Sequence, residues 1–99
     1  MNKFYISETL QTIFVNVVHV YVNPSKAKKK KVKEFVHAIP HLFFHDEVQN
    51  KLFTLINDNP IESYYDDQSS LERYFYYIYC ETCKFMNIDP LSFEIYKSK

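Results

Sequence analysis

The chain contains no glycine. No other property narrows its fold as much. Glycine supplies positive φ at no steric cost, and primed hairpin turns and many β-bulges depend on it. A sheet-rich fold of 99 residues would need several such positions. A helical fold does not, because asparagine and proline can close its helices. The length suits one domain, residues 1–99, which on folding buries roughly 60–65% of its unfolded surface. Nine Tyr and nine Phe make up 18% of the chain, more aromatic mass than a disordered segment carries.

Hydrophobic spacing divides the chain into helices. Over residues 8–22, Leu10, Ile13, Phe14, Val17, Val18 and Tyr21 fall on one helical face, with Ser7 as cap and Glu8 in the positive first turn. Asn23-Pro24-Ser25 reads as a turn, and Ser25 caps a second helix over 26–39. That helix carries Val32, Phe35, Val36 and Ile39 on one side, and Pro40 stops or kinks it. A third helix, 46–58, opens at Asp46, shows Val48, Leu52, Leu55 and Ile56 as its stripe, and ends at Asn59-Pro60. Ser69 and Glu72 have capping-box spacing and begin a fourth helix, 70–87. Leu71, Tyr74, Phe75, Ile78, Thr82, Phe85 and Met86 line its inner face, Asp89-Pro90 breaks it, and a short helix follows over 90–96. The expected fold is all-α: a compact four-helix bundle with a short fifth C-terminal helix.

Charge and hydropathy limit the function. Twelve basic residues balance twelve acidic ones, so overall charge does not point to nucleic acid. No run reaches the roughly 18 apolar residues of a membrane span. The most apolar stretch, IFVNVVHVYV, is interrupted by Asn16 and His19. The start, MNKFYISE, lacks a basic region followed by an apolar core, so no signal peptide is expected. Two cysteines do not make a disulfide framework. The expected location is intracellular, in host cytoplasm or a virion. Abundant Asn, Lys, Ile, Tyr and Phe looks like the product of an AT-rich genome, of which viruses are one common source.

Four groups of residues are candidates for chemistry or binding. His37, His41 and His45 recur at a spacing that shares one face of an unbroken helix and could hold zinc. Pro40 interrupts that helix and no cysteine is near, so surface or half-buried histidines are the plainer reading. Cys80 and Cys83 form a Cys-x-x-Cys, the unit of dithiol redox chemistry when its first cysteine opens a helix. Here both lie well inside the fourth helix, and cysteine also packs as a small hydrophobe. Lys26, Lys28, Lys29, Lys30, Lys31 and Lys33 crowd the start of the second helix, where cations oppose the macrodipole. Acidic neighbours or a partner surface would compensate. A solvated face is the plain reading of this run, an acidic protein partner the functional one, and nucleic acid or anionic membrane a third. Finally, Tyr64, Tyr65, Tyr76 and Tyr77 belong to clusters that surround the fourth helix, and tyrosine is favoured at interfaces. There is no nucleophile with a base partner, no glycine-rich phosphate loop and no framework of paired carboxylates.

The order of elements, with FVHAI ending the second helix and LFFHDEVQNKLFTLINDNPIESYYDDQSSLERYFYYIY following, resembles the Erv/ALR family of FAD-linked sulfhydryl oxidases over residues 8–88. That family is a small helical bundle, found in several large DNA viruses, with Pro-Cys-x-x-Cys opening its third helix. Matching the turn at Asn59-Pro60-Ile61 puts His45 and Val48 where the family keeps its redox cysteines, with Phe44 at the proline. Tyr74 falls at its tryptophan, Tyr79 and Cys80 at its His-Asn flavin contacts, and Thr82-Cys83 at the next pair. The residue types that carry the chemistry are absent, so the resemblance implies a scaffold without its catalyst. The expected function is therefore a non-enzymatic protein–protein interaction module, a structural or assembly component of a large DNA virus, binding a protein partner or further copies of itself and needing no cofactor. The alternative is a divergent FAD-linked thiol–disulfide oxidoreductase using Cys80 and Cys83.

Overall fold

Two asparagines stand where other chains use glycine. Asn23 (φ 48°) and Asn87 (φ 59°) are the positive-φ residues of the described part, 2–98, of the computed structural model. Asn87 ends the long helix α4 (Gln68–Phe85) in a Schellman motif: its N–H donates to the Lys84 carbonyl (3.0 Å) and that of Ile88 to the Cys83 carbonyl (2.8 Å). Asn23 turns the chain after α1 (Lys3–Val20), just before Pro24. Asparagine visits the left-handed region more readily than other non-glycine residues, so the glycine-free chain closes α4 and makes the turn after α1 at little cost.

The remaining helices are α2 (Lys26–Ala38), α3 (Asp46–Asp58) and α5 (Phe93–Lys97). Four long helices and one short one, with no strand among the described residues, make the all-α bundle that the spacing predicts. Several ends fall elsewhere than expected, each for a local reason. The Asn2 side chain caps α1 by accepting from the Phe4 N–H (2.8 Å), so Ser7 is not a cap. Instead Ser7 is buried, and its hydroxyl donates to the Phe4 carbonyl (2.9 Å). Starting early also brings Ile6 into the core. Asp67, a carboxylate acceptor, caps α4 by accepting from the Ser70 N–H (2.8 Å) and displaces the expected box at Ser69 and Glu72. At α3 the cap is His45, whose Nδ1 accepts from the Val48 N–H (3.4 Å), and Asp46 follows in the first turn. Ser25 caps α2 as expected (3.2 Å), and Pro40 diverts the chain into a 3-10 turn, Ile39–Leu42. The last helix starts at Phe93, not 90, because tyrosines of α4 hold both backbone groups of Leu91. The Tyr76 hydroxyl donates to its carbonyl (2.7 Å), and its N–H donates to the Tyr79 oxygen (3.2 Å).

One contiguous core runs from Ile6 to Tyr96. Helix α4 lies at its centre and takes its main contacts from α1 and α3. Phe75 stacks on Phe14 (4.4 Å between centroids, 8° between planes) and meets the edge of Phe35 (6.4 Å). Of the predicted α4 stripe, only Phe85 is exposed, with the Lys51 ammonium over its ring (5.8 Å). Tyr79 and Cys83 are buried in addition, Tyr79 against Tyr96 of α5, so α4 is buried on more than one face. Gln11, itself buried, donates from Nε2 to the Tyr96 carbonyl (3.1 Å) and ties α5 to α1.

Buried phenols separate into two kinds. The Tyr21 hydroxyl donates to the Tyr65 carbonyl (2.6 Å), whereas those of Tyr74 and Tyr96 have no hydrogen-bond partner among the described residues. Tyr21→Phe is expected to cost about 1 kcal/mol and strand a carbonyl, while Tyr96→Phe is neutral or stabilising by up to about 1 kcal/mol, because it removes a buried unpaired hydroxyl. Urea denaturation of the two variants measures this; the opposite order would refute the assignment.

Candidate interaction groove

The second half of α1, IFVNVVHV, is apolar on more than the side that the core needs. Phe14 and Val18 point into the core, and Val17 and Val20 are left on the adjoining side. Helix α2 follows after a short turn, yet it packs mainly on the 3-10 turns and α3 and only loosely on α1. The two helices bound an apolar groove of about 370 Å³. Tyr21 and Val32, both buried, lie at its base, and half-buried Val17 and Phe35 line it. Val20 lines it too and is 69% exposed. Lys28 and Lys31 of α2 supply its charged lining, and the Lys28 ammonium donates to the Val22 carbonyl (2.9 Å).

The lysine run is divided by the fold. Lys29 pairs with Asp66 (3.0 Å) and lies over the Tyr65 ring (5.7 Å), and Lys33 pairs with Glu62 (2.7 Å). The Lys33–Glu62 hydrogen bond holds that ammonium above its usual range and that carboxyl below it. These are the acidic neighbours that a cation-rich helix start requires. Lys28 and Lys31 have no carboxylate partner among the described residues. The chain also carries no acidic residue between Glu8 and Glu34. The groove is therefore apolar with an unneutralised basic lining.

The other candidates are dispersed. His37 ends α2, His41 sits in the 3-10 turn against Phe53 (5.2 Å), and His45 is the α3 cap. Among the described residues no group of three or more potential ligands comes together. His45 and Val48, the positions that the resemblance maps to a redox pair, are joined by the capping hydrogen bond. Cys80 and Cys83 are free, on the later turns of α4. Burial pushes the Cys83 thiol up to about 11 and raises that of Cys80 as well, the opposite of a reactive thiolate.

The predicted partner-binding tyrosines do not form one patch. Tyr64 and Tyr77 are exposed and share a surface hollow with Tyr74, on which Tyr64 stacks (5.0 Å). Tyr65 belongs with the lysines. Tyr76 packs against Phe93 and Tyr96 and holds Leu91, so it serves the fold's own C-terminal segment. Of the predicted lysines, Lys28 and Lys31 line the groove, while Lys29 and Lys30 border a second hollow beside Tyr65 and Asp66. Sequence reasoning placed Val17 and Phe35 in core stripes and passed over Val20. The signal was present in the excess apolarity of IFVNVVHVYV, which one core face cannot use up.

Among the described residues no helix is long and apolar enough to cross a membrane. Comparison with known proteins finds no protein family, curated protein or solved structure that matches this chain.

Proposed function

We propose that this chain is a non-enzymatic helical module that acts by protein–protein contact, as a structural or assembly component. A large DNA virus is the setting that its AT-rich-type composition and its resemblance to the sulfhydryl oxidase scaffold suggest. The observation that carries the reading is the open groove between α1 and α2, an apolar surface that the fold itself leaves without a partner. A concave apolar cleft of this kind is a preferred place for a binding partner. The alternative, a flavin-linked oxidoreductase at Cys80 and Cys83, draws no support from two mid-helix thiols raised by burial.

The test is site-directed photocrosslinking in the cells that make the protein. A benzoylphenylalanine at position 20 is expected to trap one recurrent protein, identified by mass spectrometry, that the same label at exposed position 57 of α3 does not. Equal, diffuse labelling from both positions would remove the interaction reading.

A further inference from the structure

The geometry points to an acidic amphipathic α-helix of another protein as the occupant of the α1–α2 groove, with its apolar ridge over Val17, Tyr21, Val32 and Phe35 and its carboxylates on Lys28 and Lys31. This rests on the interaction reading above and specifies the partner's chemistry. Three observations carry it.

Shape comes first. The groove is concave and bounded by two helices. Val17, Val20 and Tyr21 repeat at helical spacing on one side, and Lys28, Val32 and Lys31, Phe35 on the other. Such walls accept the ridge of a third helix, read as anchors at i, i+3, i+4 and i+7. A lipid surface instead takes protruding apolar side chains from a convex face. Nucleic acid brings phosphates and base edges to a surface whose base is valine and aromatic rings.

Charge is the second. Cations in the first turns of α2 work against its macrodipole. The fold compensates Lys29 and Lys33 with Asp66 and Glu62, on the side away from the groove. Lys28 and Lys31, which line the groove, keep this electrostatic cost with no carboxylate of the described chain paired with them, as do Lys26 and Lys30 on the other side. An occupant with acidic flanks supplies the missing counter-charges and fixes its own register.

The third is the argument against a second copy. A two-fold interface brings the same patch of each copy together. Here it would bring two copies of Lys28 and Lys31 into one interface whose lining holds no carboxylate, and crowding like charges in an interface is unfavourable.

The experiment uses the full chain and two labelled peptides of about four helical turns. Both carry leucine at i, i+3, i+4 and i+7. One is flanked by glutamates and the other by lysines. Fluorescence anisotropy gives the affinity, and amide shifts in two-dimensional NMR give the site. The glutamate peptide is expected to bind at least about tenfold more tightly, since two ion pairs replace two like-charge contacts. Its shifts should cluster within residues 17–35. The double variant Lys28→Glu, Lys31→Glu should invert the preference. It is expected to stay folded, because acidic residues suit the start of α2, and circular dichroism checks this. Val20→Asn, at an exposed position, should weaken both peptides in their preferred backgrounds.

Equal affinity for the two peptides, or shifts mapping to another face, would overturn the assignment. So would binding of the wild type to phosphatidylserine vesicles or to single-stranded DNA, but not to the glutamate peptide, lost in the double variant. If position 20 traps a protein while the glutamate peptide fails, the occupant's chemistry is wrong and the interaction reading stands. If position 20 traps nothing specific, the interaction reading falls as well.

Discussion

Replacing Phe75 by alanine is expected to lower the stability of the protein by about 3–5 kcal/mol, enough to bring the melting temperature down by roughly 15–30 °C. Phe75 is fully buried on the central helix, stacked on Phe14, edge-on to Phe35 and tilted against Tyr74. Truncation removes the transfer energy of a large ring, leaves a cavity that three neighbouring rings cannot readily fill, and forfeits the aromatic pairing itself. A domain of this size has only about 5–15 kcal/mol in hand, so the alanine variant stands at the edge of folding. Phe75→Leu keeps most of the volume and should lose less than half as much. Phe44→Ala is the control: Phe44 is 87% exposed, and its change should stay within about 0.5 kcal/mol. Urea denaturation of the three variants decides it. A Phe75→Ala protein as stable as Phe44→Ala would mean that α1, α2 and α4 do not meet at these rings.

The Cys83 thiol is expected to react at least about 100-fold more slowly with iodoacetamide at pH 8 than an ordinary thiol. Burial raises it from near 9 to about 11, which cuts the thiolate fraction by about two orders of magnitude, and the side chain is inaccessible besides. Reaction then waits on local opening of α4. Mass spectrometry after timed alkylation, native and in concentrated guanidinium, reports it. Native Cys83 should stay unmodified while the denatured chain takes label at both cysteines. Labelling at the rate of a free thiol, or a Cys80–Cys83 disulfide in the purified protein, would revive the redox alternative.

The same burial has a consequence for stability against pH. Tyr76 and Tyr79 are pushed up to about 12, chiefly by burial, and burial raises Tyr74 and Tyr96 too. These groups bind their protons more tightly in the folded protein than in the unfolded chain. Their contribution is intact below about pH 10, the unfolded phenol value, and is lost as pH rises through about 12.

Much of the fold was legible because helix signals are local. The stripes in 26–39 and 46–58, the Ser25 cap, and the stop at Asn59-Pro60 all depend on residues within a turn or two of one another. Caps were less legible where two acceptors compete. Asp67 and Ser69 are both good caps, and the side chain of Gln68, which donates to the Val18 carbonyl (2.8 Å), belongs to the choice. That partner lies 50 residues away in the chain. For the candidate site, the lysine run and its need for compensation were plain, while the division between paired and unpaired lysines was not. It depends on the loop 61–67 returning beside α2.

The class of the molecule follows from local sequence alone. A glycine-free chain with helical periodicity in four segments, and asparagines available at the ends of two of them, has few routes to a sheet and an easy one to a bundle. Local sequence also shows that the chain carries more apolar surface than one core face per helix can use. Where that excess goes is set by long-range packing. On α4 it is covered by α5, through Tyr76, Tyr79 and Tyr96; on α1 it is left open beside α2, with Lys28 and Lys31 next to it. Periodicity records that a face is apolar, but the element that covers it is chosen by packing between residues distant in the chain.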